Sequence, residues 1–422
     1  MRILFTILFI FLGSAPLIAQ KAKGLMDPSE VRRVLSILSS DDMQGRKAQS
    51  PGIDKAASFL EEEFTKAGLL PLNGAKGFLQ EFQLIRSETR KAEVALDGGS
   101  LDSTKVIVFA GKEQLDWKTG DAKVVRPLNG DRGAIFQAME GQGNTLVILD
   151  SAFRDLFPRL KRFNMQRPES SGDVVIVLAD REPTKYSISV KSDLVKSRMA
   201  NVVGMIPGKK RAKEYVVFSS HYDHLGMGKP VSGDSIFNGA NDDASGTTAV
   251  VELAGHFNKR KDNARTLIFA AFTAEESGGY GSQYFSKQLE PDKVVAMFNI
   301  EMIGTESKWG RNSAYITGYE RSDFGSLLQE NLKGTVFTFQ PDPYPDQNLF
   351  FRSDNATLAR LGVPAHTIST SKMDSEPYYH TVKDEIGTLD MENMSAIIEA
   401  ISVSSQGIIS GKQTPSRVKI DN

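Results

Sequence analysis

Cysteine is absent from the 422 residues. That excludes disulfides, thiolate metal sites and a cysteine nucleophile, leaving histidine and carboxylate as the strong metal ligands available. Charge of one sign is equally lacking, with 51 Lys and Arg against 52 Asp and Glu for a net −1. No basic stripe with interleaved aromatics occurs, so nothing points to nucleic acid or an anionic membrane surface as a partner. Low-complexity runs and internal repeats are missing, and 40% hydrophobic with 24% charged residues is the balance of an ordinary globular chain. A spanning apolar run is missing too: the longest, Ile3 to Leu12, falls well short of the ~20 residues a membrane helix needs. That run follows Arg2 and precedes Gly13, Ser14, Ala15 and Pro16, the pattern of a signal peptide over residues 1–19. The expectation is an exported chain, periplasmic or extracellular, cleaved near Ala19 or Gln20 and left with no stable membrane anchor. With no cysteine after the run, bacterial lipid attachment is excluded.

The length exceeds the ~250–300 residues at which one hydrophobic core stops growing, which predicts a main domain and a second body. Asp27, Pro28 and Glu30 form an N-cap, a first-turn proline and a capping acid ahead of Val31, Val34, Leu35 and Leu38 at helical spacing. Ile53, Ala56, Ala57, Leu60 and Phe64 mark a second helix, with Gly68 at its end. From about 90 to 198 short apolar strands (Lys105 to Ala110, Thr145 to Leu149, Asp173 to Leu178) alternate with glycine-rich and charged turns, which reads as an inserted, smaller β-rich lobe. After Asn201 strand, loop and helix repeat, with strands at Val202 to Ile206, Tyr215 to Ser219, Thr266 to Phe272, Val294 to Ile300 and Ala365 to Ile368. This predicts an α/β fold: a mostly parallel, mixed central sheet with helices on both faces. Residues 26–89 and 199–411 then form one discontinuous domain around the lobe at 90–198, and 412–422 is a tail.

Several strands of the α/β region lead into polar loops of one chemical kind. Tyr215 to Ser219 runs into His221, Tyr222, Asp223 and His224, and a histidine at the carboxyl end of such a strand points into the crevice where open α/β sheets bind ligands. Asp223 is spaced to orient that imidazole. The run Gly239, Ala240, Asn241, Asp242, Asp243 opens a helix and is either a helix cap or a bridge between two cations. Thr266 to Phe272 leads to Glu275 and Glu276, either a solvated acidic turn or one metal ligand beside one proton carrier. Glu301 follows the apolar Met297 to Ile300, where a buried acid is costly unless paired or coordinated. Tyr378, Tyr379 and His380 complete the set.

The strings SSHYDHLG, GANDDASGT, FTAEESGGYGS, NIEMIG, FRSDN and YYHTVKDE, in this order, resemble those of the dizinc exopeptidases, the family of bacterial leucyl aminopeptidase, aminopeptidase Y, glutamate carboxypeptidase and the transferrin receptor. The resemblance covers about Leu38 to Ile408 outside the insert. It implies one cation on Asp242, Glu276 and His380 and another on His221, Asp242 and Glu301, with Asp242 shared and a cis peptide between Asp242 and Asp243. It further implies Glu275 as general base, Asp223 behind His221, and Tyr379 beside the tetrahedral oxyanion. Two positions depart from the common pattern: Glu301 stands where an aspartate is usual, and Asn355 follows Ser353 and Asp354 where a histidine is usual.

The function so implied is a metal-dependent aminopeptidase acting on peptide substrates with two zinc ions, cobalt or manganese being possible substitutes. Arg154, Arg159, Lys161, Arg162 and Arg167 of the insert are either a solvated basic face or a receptor for a substrate carboxylate, the latter making a carboxypeptidase. Glutaminyl cyclase and a non-catalytic receptor share the resemblance. Receptors of this fold have lost ligands, whereas every ligand position is filled here.

Overall fold

The computed structural model describes residues 25–420 apart from 129–130, 142, 163–165 and 170. The expected signal peptide therefore lies outside the described residues. Among them, no helix is long and apolar enough to cross a membrane.

The first helices form as their caps dictate. Helix α1 (Pro28–Leu38) is capped by the Asp27 carboxylate on the N–H of Ser29 and buries Val31, Val34, Leu35 and Leu38. Helix α2 (Pro51–Lys66) buries Ile53, Ala56, Ala57, Leu60 and Phe64 and is followed by Gly68 at φ 73°, the left-handed backbone that glycine adopts without strain.

The chain then enters a twelve-stranded mixed sheet. Its main strands are β1 (Leu79–Leu96), β2 (Tyr186–Ile206), β3 (Arg211–His221), β4 (Arg265–Phe272), β5 (Val294–Ile300), β6 (Ser313–Ile316), β7 (Thr338–Pro341) and β8 (Ala365–Ser369). The spatial order is β7-β6-β8-β5-β3-β4-β2-β1. The four central strands β8, β5, β3 and β4 are mutually parallel, with Ser219 opposite both Asn299 and Ala270. Alternate residues feed two cores. Val216, Phe218, Leu267 and Phe269 pack against α1, α2, α3 (Gly246–Arg260) and α4 (Met391–Ser404), while Val217, Ile268, Phe272 and Met297 face the opposite layer with Phe285, Leu358 and Val418. Burial on both faces explains why these strands read as unbroken apolar runs.

Strands β1 and β2 pair with each other along nearly their whole length. Residues 89 and 199, the expected domain boundaries, therefore fall inside continuous strands. Within the insert a four-stranded sheet packs one face on the outer parts of β1 and β2, through Val94, Tyr186, Ile188 and Val190. Its other face, with Val147, Leu149 and Ile176, covers Ile135, Phe153, Phe157 and Leu160. Part of this sheet is parallel and a helix, Arg132–Glu140, joins two of its strands, so the β-rich insert also carries helices.

Candidate metal centre

Parallel strands end at one edge, and this edge gathers the polar loops. The last residue of β3 is His221, in register with Phe272, the last of β4. Glu275 and Glu276 follow β4, and Glu301 follows β5 directly. The turn Ala240–Ser245, leading into α3, carries Asp242, and the peptide bond from Asp242 to Asp243 is cis.

At the centre stands Asp242. Its Oδ1 lies 3.3 Å from His221 Nε2 and its Oδ2 3.2 Å from His380 Nε2. His380 Nε2 is also 3.3 Å from Glu276 Oε2. His221, Asp242 and Glu301 offer three donor atoms within reach of one cation. The other four expected ligands thus stand around the Asp242 carboxylate. Whether they suit a metal is tested by their unspent valences: His221 Nε2, His380 Nε2 and Glu301 Oε2 are buried with no hydrogen-bond partner among the described residues. The large majority of buried polar atoms in folded proteins are paired, three unpaired ones here face a single carboxylate, and imidazole and carboxylate without thiolate form a donor set that fits zinc.

The neighbouring residues hold this arrangement from behind. Asp243 accepts from the backbone N–H of Gly246 at 3.1 Å, Met302 at 3.0 Å and His221 at 3.3 Å, lacing three loops together. Asp384 does the same for the Asp242 turn, accepting from Asn241 N–H at 2.7 Å and Asp242 N–H at 3.0 Å. Arg46 is wholly buried and donates to four carbonyls, of Leu38, Tyr222, Asn238 and Gly239, at 2.6, 2.8, 2.6 and 2.9 Å. It joins the two loops that deliver His221 and Asp242. The imidazole Nδ1 of His221 meets the main-chain oxygen of Asp223 at 3.1 Å, with the Asp223 carboxylate 3.8 Å away. That carboxylate instead accepts the N–H of Glu275 at 3.0 Å.

So many acids in one place shift one another. Burial pushes Asp223 and Glu301 each up to about 7 and raises Glu275 well above the ordinary carboxylate range. Burial would raise Asp242 as well, but the bonds and charges of His221, His224 and His380 hold it below that range. The carboxylates of Asp242 and Glu276, each within 3.3 Å of its Nε2, lift His380 to about 10.

Glu275, Glu276, Glu301, Asp242, Tyr379 and His380 line one pocket, which continues past Thr317, Leu349 and Met373. The Tyr379 ring stacks on His380 with centroids 3.9 Å apart. Asn355, where the common pattern has histidine, donates to the carbonyls of Phe350 and Ala365 and accepts from Thr367; it is a packing residue outside the ligand set.

Two of the basic residues of the insert are engaged within it. Arg167 is buried, and its two terminal nitrogens are bonded to the carbonyls of Phe109, Met139 and Gly172. Lys161 binds the carbonyls of Ser103 and Thr104. What the sequence reading passed over is His224, whose Nδ1 lies 2.8 Å from Glu276 Oε1. Its place in the string HYDHLG was the available signal.

Residues 201–404, just under half of the chain, match the model of Peptidase family M28. A probable leucine aminopeptidase of Trichophyton verrucosum is 30% identical over 208 residues, 47% of this chain and 53% of the relative. The chain spans about half the length of the curated relatives it matches. Among solved structures, the aminopeptidase from Aneurinibacillus sp. strain AM-1 has a TM-score of 0.55 at 18% identity, covering 94% of this chain and 96% of that one. A zinc aminopeptidase from Bacillus subtilis has a TM-score of 0.55 at 15% identity, covering 94% and 98%. The structures share the fold, and the family match upholds the resemblance to the dizinc exopeptidases.

Proposed function

We propose that this chain, which carries Peptidase family M28 in residues 201–404, is a two-zinc aminopeptidase releasing the first residue of peptides. One observation carries the reading: two imidazoles and two further carboxylates, from four other loops, converge on Asp242, with ring nitrogens and a carboxylate oxygen left unbonded among them. The first ion is assigned to Asp242, Glu276 and His380, the second to His221, Asp242 and Glu301. When bound, the ions polarise the scissile carbonyl and acidify the attacking water.

The rest belongs to the chain. Glu275, raised by burial, takes the proton of the attacking water and hands it to the leaving amine. Its backbone N–H bond to Asp223 anchors the loop, while the side chain of Glu276 meets His224 and His380. The Tyr379 hydroxyl, at the pocket wall, donates to the oxyanion as it forms. Glu301 in place of aspartate reaches one methylene further and still brings a donor oxygen within range of His221 and Asp242.

The insert, taken as residues 90–198, restricts access to chain ends. This is supported by the hydroxyl of Tyr280, just past the two glutamates, donating to the carbonyl of Gln166. Export, resting on residues 1–19, places the activity in the periplasm or outside the cell.

The test is to load the purified protein with zinc, measure its metal content, and assay a peptide with a free amino terminus beside its N-acetylated twin. Hydrolysis of the first only is expected. Removal of the last residue from both would make it a carboxypeptidase, cyclisation of amino-terminal glutamine a glutaminyl cyclase, and no turnover at full metal content a binding module.

A further inference from the structure

The imidazole of His224 is wholly buried in the metal centre, and although His224, Asp242 and Glu276 bring one donor atom each within reach of a single cation, the short contact it makes is with Glu276. Its ring makes one hydrogen bond, Nδ1 to Glu276 Oε1 at 2.8 Å, while Nε2 is buried with no hydrogen-bond partner among the described residues. We propose that His224 is a positioning residue, whose Nδ1–H holds Oε1 of Glu276 so that only Oε2 faces the cation. The inference rests on the metal centre proposed above and deepens it.

Distances separate a ligand from a hydrogen-bond donor. Around a tetrahedral zinc with bonds of about 2.0–2.1 Å, neighbouring donor atoms lie about 3.3 Å apart. His221 Nε2 to Asp242 Oδ1 is 3.3 Å, His380 Nε2 to Asp242 Oδ2 3.2 Å, and His380 Nε2 to Glu276 Oε2 3.3 Å. These are spacings of atoms that share a cation. The 2.8 Å from His224 Nδ1 to Glu276 Oε1 is too short for such a pair and has the length of a charge-assisted N–H···O bond. Its 3.8 Å to Asp242 Oδ2 is too long for either. His224 and His380 thus address opposite oxygens of one carboxylate.

The fold makes room for this contact. A Cβ on Gly239, which sits at φ 55°, would come within 2.5 Å of His224 Cδ2 and 2.6 Å of Cγ, so glycine there admits the ring. The backbone N–H of His224 donates to the carbonyl of Arg46 at 3.2 Å. With ring and main chain both fixed, the donor is aimed before any cation arrives, and Glu276 is kept from swinging its second oxygen onto the ion.

Cobalt(II) added to the metal-free protein reports on this directly, because four-coordinate cobalt absorbs more strongly in the visible than five- or six-coordinate cobalt. His224→Leu removes the donor; His224→Asn keeps an N–H at the position of Nδ1. The expected results are an affinity loss of about 10–100-fold by chelator competition and a weakened visible band in the leucine variant, with both largely restored in the asparagine variant. Melting temperatures of the metal-free proteins check that both variants fold. An asparagine variant as impaired as the leucine one would overturn the proposal, showing that the ring itself is needed, as would a leucine variant identical to wild type. Wild-type protein that takes up no cobalt would sink the metal centre instead, a distinguishable failure.

Discussion

The backbone N–H of Glu275 donates to the Asp223 carboxylate at 3.0 Å, and this bond joins the loop bearing His221 to the loop bearing both glutamates. With the backbone anchored at 275, the two neighbouring side chains diverge. Glu276 meets His380 and His224, and Glu275 lines the pocket beside them.

Glu275→Gln should therefore lower kcat by at least about 100-fold, the scale of general-base loss, with zinc content and folding nearly unchanged. Glu276→Gln should instead lose zinc. Titrating each variant with zinc while following peptide hydrolysis separates the two. Near-wild-type turnover of Glu275→Gln at saturating zinc removes Glu275 from the base role.

Zinc uptake should release protons. Against the effect of burial, the neighbouring carboxylates raise His221 well above the ordinary imidazole value; they lift His380 to about 10, and burial raises Glu301 to about 7. All three must be deprotonated to serve as ligands. At pH 7 uptake then displaces about two or more protons, and affinity climbs as pH rises. Calorimetry in two buffers of different ionisation enthalpy measures the number. Binding heats independent of the buffer would contradict these shifts.

Acid should loosen the packing of α1 on α2. Arg33 bridges to Glu63 through two bonds of 3.1 and 2.7 Å, and Lys66 adds a third of 2.8 Å. Burial alone would raise Glu63, but these bonds leave its pKa below the ordinary value. A carboxylate depressed on folding contributes stability that is present above its unfolded pKa of about 4.3 and is lost as pH falls through the lower folded value. Glu63→Gln should cost about 1–3 kcal/mol at pH 7, and the difference from wild type should shrink below pH ~4. Denaturant unfolding at pH 7 and pH 3 checks both parts.

Arg167→Leu should cost stability rather than substrate affinity. Three carbonyls lose their donor inside the insert, a penalty of about 3 kcal/mol or more, while KM of the folded fraction should be unchanged. A raised KM without destabilisation would restore the substrate-carboxylate role once open to this residue.

The strands and their ends were legible in the sequence because β3, β4 and β5 are buried on both faces and stop abruptly at His221, at the loop to Glu275, and at Glu301. Apolar runs that end in histidine or glutamate need no knowledge of distant partners. Arg46 was not legible, since its acceptors are carbonyls as far as 193 residues away and a carbonyl leaves no trace in residue type. Arg167 was misjudged for the same reason, sharing a charged stretch with residues that are exposed. The edges of the insert were blurred because β1 and β2 run through them as strands of one sheet, with only a register shift between Lys191 and Ser192, while their outer parts also pack on the insert's own sheet, so no turn signal marks the passage. His224 needed geometry: sequence places it three residues from His221, and only the fold shows that it faces Glu276.

The proposed bridging of two cations by Asp242 is open to direct measurement. Crystals of the zinc-loaded protein, measured at the zinc absorption edge, should show two anomalous peaks about 3.5–4 Å apart, each about 2.0–2.2 Å from one Asp242 oxygen. A single peak, or two peaks with Asp242 more than about 3 Å from both, would contradict it.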